Sequence, residues 1–350
     1  MINVLVVDDS AFMRKMLTEF INSQADMTTK AVARNGSDAL EKLSKESYDV
    51  MTLDVEMPVM TGIDVLKKLP VQRPAVIMVS SKTQRGSDMA VQALELGAVE
   101  IVAKPSGSIS LDIDKVKEEF LSKIRAAAAA GTGKLLQSRT SFKTVILPPA
   151  APTEQMIATS SRNVLAIGTS TGGPKALQTV IPALPASLAA PVFIVQHMPP
   201  SFTESLAKRL NQLSALEVKE ASHNETAENG VVYIAPGGRQ MRVGRKEGRV
   251  FLSVTDEEAN EGHRPSVDVL FKSLAALNHI SVSAAILTGM GKDGTEGVKR
   301  LLENHNVRIA AESAETAVIY GMPKAAAQLD GVESLPLEQV AAFLTRSVSH

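Results

Sequence analysis

Short apolar runs alternate with stretches of helical spacing through the first 125 residues. Ile2 to Val7 reads as a strand, and Ala11 to Ile21 repeats Phe12, Met16, Leu17 and Phe20 on one helical side. Strand-like runs follow at 28–33, 50–53, 75–79 and 99–103, with helical patterns at 37–43, 63–69, 89–96 and 113–124. Strands that alternate with helices imply βαβ crossovers and a parallel sheet. Five of each predict a doubly wound, flavodoxin-like domain over residues 1–125.

The pattern breaks at 126–161, which opens with AAAAAGTG and later carries PPAAP and TSSR. That composition reads as a linker. The Ala run also suits a continuation of the preceding helix, so helix first and coil after is expected. A second α/β region is expected over 162–350. Its strands are 164–167, 192–195, 282–287 and 307–311. Its helices are one opened by Pro174, then 203–213, 267–277, 295–302 and 337–344. The segments 231–235, 241–243 and 250–254 sit between Gly turns and read as a small antiparallel portion. The expected fold class is α/β, with two doubly wound domains, the second mainly parallel.

Composition narrows the classes. Hydrophobic residues are 44% and charged residues 21%, which excludes a mainly disordered or membrane-embedded chain. Lys plus Arg is 37 against 38 for Asp plus Glu, so no electrostatic footprint for nucleic acid is present. Cysteine is absent, which removes disulfides, thiolate metal sites and a Cys nucleophile. The opening MINVLVVDDS has no basic segment before its apolar run, and no apolar run reaches the length of a membrane span. The expected compartment is the cytoplasm.

Polar residues of the first domain gather just after its strands: Asp8 and Asp9, Asp54, Ser80, then Lys104. In an open parallel sheet these strand ends share the carboxyl edge, where ligands bind. Three crowded carboxylates repel one another, and a hard cation such as Mg²⁺ relieves that with oxygen ligands. One carboxylate can then accept a phosphoryl group, with the metal and Lys104 offsetting its charge and Ser80 hydrogen-bonding it. Asp9 taken alone is explained better by a helix cap or turn, and it is the convergence of the five positions that points to a site.

The second domain carries Gly168-Thr169-Ser170-Thr171-Gly172-Gly173-Pro174 between a strand and a helix. A serine on such a tight turn suits an exposed nucleophile, and the helix-start N–H groups suit an oxyanion. Serine needs a base. Of His197, His223, His263, His279, His305 and His350, only His197 directly follows a strand-like run, FIVQ. A carboxylate orients an imidazole base, and Asp293 lies in the loop after SAAIL. The order Ser, His, Asp differs from that of α/β-hydrolases, so a different fold is expected. Two competing motifs overlap these segments. Gly168 to Lys175 approaches a P-loop, but Pro174 stands where the phosphate lysine is needed. Gly289-Met290-Gly291-Lys292-Asp293-Gly294 matches a dinucleotide fingerprint, with Glu312 placed as a ribose-binding acid. That alternative leaves Ser170 and His197 without a role.

VVDDS, LDVEMPVMTG, the SS after strand four and the KP after strand five resemble response-regulator receiver domains. The resemblance implies Asp54 as phospho-acceptor and Asp8, Asp9 and Asp54 around Mg²⁺. It also implies Ser80 as the switch hydroxyl and Lys104 as the phosphoryl contact. Ile101 departs from the pattern, because many receivers carry an aromatic switch residue there. GTSTGGPKAL, VQHMPPSFT, YIAPGG, RPSVDVLF and LTGMGKDGTEG resemble the catalytic domain of chemotaxis protein-glutamate methylesterases. This resemblance implies Ser170 as nucleophile, His197 as base and acid, and Asp293 as orienting carboxylate. The Met290 N–H, with Thr171, would form the oxyanion hole. It further implies demethylation of glutamate methyl esters, and deamidation of glutamines, on methyl-accepting chemotaxis receptors. A chemotaxis histidine kinase would be the phosphodonor, and the unphosphorylated receiver would cover the catalytic face. No cofactor for the esterase, no nucleic acid and no membrane insertion are expected. On the residues alone, a phosphorylation-regulated binding module with an inactive hydrolase-like domain stays open.

Overall fold

The computed structural model describes residues 1–70, 72–81, 83–104, 113–137, 163–258, 262–346 and 348. The first domain runs β1 (Ile2–Val7), α1 (Ala11–Asn22), β2 (Met27–Ala33), α2 (Gly36–Lys45), β3 (Val50–Asp54), α3 (Gly62–Lys68), β4 (Ala75–Ser80), α4 (Gln84–Glu95), β5 (Glu100–Ala103) and α5 (Ile113–Gln137). Its sheet has the order β2-β1-β3-β4-β5, and every pairing is parallel. The near-continuous burial of β3, β4 and β5 reflects helices on both faces. Local caps start the helices. Ser10 Oγ accepts from the Met13 N–H, and Thr61 with Asp64 forms a reciprocal capping box at α3.

The second domain runs β6 (Asn163–Thr169), α6 (Gly173–Val180), β7 (Val192–Gln196), α7 (Phe202–Leu213), β8 (Glu217–Glu220), β9 (Val231–Ile234), β10 (Gln240–Lys246), β11 (Arg249–Thr255), α8 (Val267–Ala275), β12 (Ser281–Ile286), α9 (Thr295–Leu302), β13 (Val307–Glu312), α10 (Met322–Ala327), β14 (Val332–Leu335) and α11 (Leu337–Thr345). Seven strands form a parallel sheet in the order β14-β13-β12-β6-β7-β9-β8, and β10 pairs with β11 as an antiparallel hairpin. The strand order reverses at β6, with β7 on one side and β12 on the other. Ligands of open α/β sheets bind at such a switch point.

Three expectations are adjusted. The segment 231–234 joins the parallel sheet as β9, so the antiparallel portion is β10 and β11 alone. The edge strands β8 (EVKE) and β14 (VESL) were not legible, because edge strands carry charge and little apolar pattern. Helix α5 continues through the Ala run to Gln137, with Ala126, Ala127 and Ala130 buried, so the boundary expected at 126 falls inside a helix. The remainder of the expected linker, 138–161, lies outside the described residues.

The domains touch through helices. α4 packs on α7 and α6. Gln84 Nε2 donates to Ser205 Oγ at 3.2 Å, Ser205 Oγ donates to Asp88 Oδ1 at 2.6 Å, and Arg209 pairs with Glu95. Val318 of the second domain packs against the apolar cluster that holds Phe120 and Leu121 of α5. Among the described residues no helix is long and apolar enough to cross a membrane.

Candidate active site

In the first domain, burial and charge meet at the ends of β1 and β3. Asp8 and Asp54 are buried and Asp9 is exposed; carboxylate oxygens of the three lie within 4.8 Å of one another. Lys104 Nζ lies 2.7 Å from Asp54 Oδ2 and 3.0 Å from Asp8 Oδ2. Burial pushes the Asp54 carboxyl up to about 6, against the Lys104 ammonium and with help from Asp8. Asp8 Oδ2 is buried without a well-directed hydrogen bond, which leaves acceptor capacity facing the cluster. Hard oxygen donors with spare capacity fit a divalent cation such as Mg²⁺. Ser80 stands at the end of β4 as expected, but its hydroxyl is turned to the Gly86 carbonyl, 3.0 Å away, rather than to Asp54. Ile101 is buried in β5.

In the second domain, strand register does the positioning. Thr169 pairs with Gln196 across β6 and β7, so Ser170 and His197 leave the sheet side by side. The His197 N–H donates to the Thr169 carbonyl at 3.1 Å. Gln196 Nε2 ties the two turns together, donating to the carbonyls of Ser170 at 3.0 Å and His197 at 3.1 Å. From the other side, the loop after β12 brings Asp293 to His197, with Oδ2 2.8 Å from Nε2. Asp293 is received by the start of α8. Its carboxylate accepts from the N–H groups of Val267 (2.7 Å) and Asp268 (3.1 Å) and from Ser266 Oγ (2.9 Å). Burial raises the Asp293 carboxyl, but the His197 imidazole and these N–H groups outweigh it and hold it at about 2.

An ionised Asp293 fixes the proton of His197 on Nε2. The acceptor nitrogen is then Nδ1, which is buried and has no hydrogen-bond partner among the described residues. Ser170 Oγ has none either, so the structure joins His197 to Asp293 and sets Ser170 beside them without a hydroxyl–imidazole bond. Such bonds often tighten only with substrate present.

The two turns expected to carry the oxyanion donors meet. A Cβ added at Gly289 would stand 2.8 Å from Ser170 Cβ, so the β12–α9 loop lies directly against the serine. The N–H groups of Thr171 and Met290 have no acceptor among the described residues. Gly172 turns the chain at φ 81°, where a side chain would strike Val318 and the Thr288 hydroxyl. The dinucleotide alternative fails here. Gly289 is pressed on Ser170, Asp293 points inward to His197, and Glu312 is buried beneath the loop.

Four contributors were missed from the sequence. His263 stacks on His197 with ring centroids 4.1 Å apart and planes 5° from parallel. Gln196, Ser266 and Thr288 hold the loops in place. Ser266 carried a cap signal, since it precedes a helical pattern in RPSVDVLF; Gln196 and Thr288 stood at strand ends, and His263 had no local signal. Along the same sheet edge, a cavity of about 380 Å³ is bordered by Ser201, Glu220, His223 and Arg239.

A model of the CheB methylesterase family matches residues 165–344, and one of the response regulator receiver domain matches residues 4–113. The chain belongs to the CheB methylesterase family. A protein-glutamate methylesterase/protein-glutamine glutaminase of Bacillus licheniformis is 49% identical over 93% of this chain and 92% of its own length. The protein of that name from Bacillus subtilis is 45% identical over 99% of each chain. The crystal structure of the Thermotoga maritima CheB methylesterase catalytic domain aligns with a TM-score of 0.51 and 40% identity, covering 53% of this chain and 98% of that one.

Proposed function

We propose that this family member is a phosphorylation-regulated protein-glutamate methylesterase that also deamidates glutamine, acting on chemoreceptors in the cytoplasm. The observation that carries the reading is the His197–Asp293 couple, with His197 Nδ1 left unpartnered on the turn that adjoins the Ser170 turn across β6 and β7. The working units are a receiver whose last helix runs to Gln137 and a catalytic domain over 162–350, joined through 138–161.

In the reaction, His197 Nδ1 takes the Ser170 proton as Oγ attacks the ester carbonyl. The Met290 and Thr171 N–H groups receive the oxyanion, and Asp293 stabilises the imidazolium. Collapse expels methanol, which takes its proton from Nδ1 and leaves Ser170 acylated. Water then attacks the acyl ester, again losing its proton to Nδ1. The glutamate carboxyl departs and the Ser170 hydroxyl is restored. A glutamine side chain follows the same path and releases ammonia.

Asp8, Asp9 and Asp54 would hold Mg²⁺, whose charge offsets that of a phosphoryl group arriving from a histidine kinase. Asp54 accepts the group and Lys104 pairs with it. Ser80 turns from the Gly86 carbonyl toward it, which frees the first turn of α4. Because α4 packs on α7 and α6, that release loosens the receiver from the catalytic edge. Neither nucleic acid nor membrane insertion enters this scheme.

Release of labelled methanol from methylated receptor tests the reading. Wild type should release it, faster with a small phosphodonor. Ser170→Ala should lose at least about a thousandfold in rate while still binding receptor. Unchanged release by Ser170→Ala would overturn the assignment. A binding module would show no release from wild type.

A further inference from the structure

A carboxyl group inside a sheet needs hydrogen-bond donors, because burial penalises its charge. Glu312 ends β13 with 1% of its surface exposed, and the reaction above gives it no role. The Thr288 N–H donates to its Oε2 at 2.8 Å, and the Thr316 hydroxyl lies near enough to favour its ionised form. Burial pushes this carboxyl up to about 7, against those two donors and with a like charge from Glu338 on α11.

Thr288 is in turn the joint between the nucleophile turn and the oxyanion loop. Its carbonyl accepts from the Ser170 N–H at 3.0 Å and from the Thr169 hydroxyl at 2.9 Å. Its own hydroxyl donates to the Thr171 carbonyl at 2.9 Å and accepts from the Ile319 N–H at 2.9 Å. The residue after it, Gly289, lies against Ser170 and leads to Met290.

We propose that Glu312 is a positioning residue of the hydrolytic site, anchoring Thr288 so that the Thr171 and Met290 N–H groups stay aimed at the Ser170 adduct. The inference rests on the Ser170 hydrolase reading. Oxyanion donors act when charge develops, so misplacing them lowers kcat and leaves substrate binding nearly unchanged. Without an acceptor at 312, the buried Thr288 N–H is left unpaired and the joint shifts to find another partner.

Labelled-methanol release by the full chain tests this with Glu312→Gln, Glu312→Leu and Glu312→Asp, and with Ser170→Ala in parallel. Gln keeps an acceptor oxygen at the same reach and should hold kcat within about threefold of wild type. Leu removes the acceptor and Asp withdraws it by one bond; each should lower kcat about ten- to a hundredfold, with KM within about twofold. Thermal unfolding reports whether each variant folds, and Glu312→Asp carries the comparison if the Leu variant does not. Wild-type kcat in the Asp variant, a Gln variant as slow as the Asp variant, or a loss confined to KM overturns the proposal. Undiminished release by Ser170→Ala instead sinks the hydrolase reading, and this inference with it.

Discussion

At the residue scale, the two sites treat a buried carboxylate in opposite ways. Asp293 meets four donors and stays ionised, held at about 2. Asp54 meets the Lys104 ammonium and one long bond from the Glu56 N–H inside an acidic cluster, and is pushed up to about 6. A carboxyl raised in the folded state costs stability once it ionises. That cost begins as pH passes its unfolded value near 4 and is complete above the folded value of about 6. With divalent ions chelated, Asp54→Asn should therefore stabilise the protein by about 1–2 kcal/mol at pH 7.5. Most of that gain should vanish by pH 4.5, as read by unfolding midpoints. A variant less stable than wild type at pH 7.5 would show that the Lys104 pair outweighs burial. The same variant should also lose all response to a phosphodonor.

At the element scale, much of the arrangement was legible because each key residue ends a strand or opens a helix. VLVVDD, MTLD, VLAIGTS and FIVQH each show an apolar run handing over to chemistry. Parallel sheets deliver such residues to one edge. Contacts that close over long sequence distances were not legible. The Glu312 carboxyl under Thr288 and the His263 ring on His197 come from tertiary packing, and neither has a local pattern. The turn of Ser80 toward Gly86 was equally hidden, since a strand-end position does not fix a rotamer. That turn matters because it links the Asp54 cluster to α4, which packs on α7. Arg209 and Glu95 pair across this helix contact, both about a third exposed or less. Pairs of this exposure contribute about 0.2–1 kcal/mol, so Arg209→Glu should raise the unphosphorylated esterase rate by up to about fivefold. An unaltered basal rate with normal folding would mean that α4 and α7 do not set the resting state.

At the scale of the whole molecule, a receiver and a hydrolase share one apolar continuity. The cluster of Leu53, Met78 and Leu94 runs on into Leu165, Leu177 and Leu206, so the domains are packed together as well as joined by chain. Val318 makes the link most consequential, since it touches the α5 cluster and also closes on Gly172 beside the nucleophile turn. The Glu119 carboxylate of α5 is held down first by Lys123, and an imidazolium at His263 or His197 would lower it further, which puts α5 within electrostatic reach of the His197 turn. On the proposed reading, covering and uncovering one edge of the second sheet couples phosphorylation to hydrolysis. The account's centre is Ser170 activated by His197. Its most direct measurement is the rate at which a fluorophosphonate modifies the full chain, with the adduct located by mass spectrometry. The account predicts a single adduct on Ser170, formed faster with phosphodonor and at least about a hundredfold slower in His197→Gln. An adduct on another residue, or a rate indifferent to the loss of His197, would contradict it.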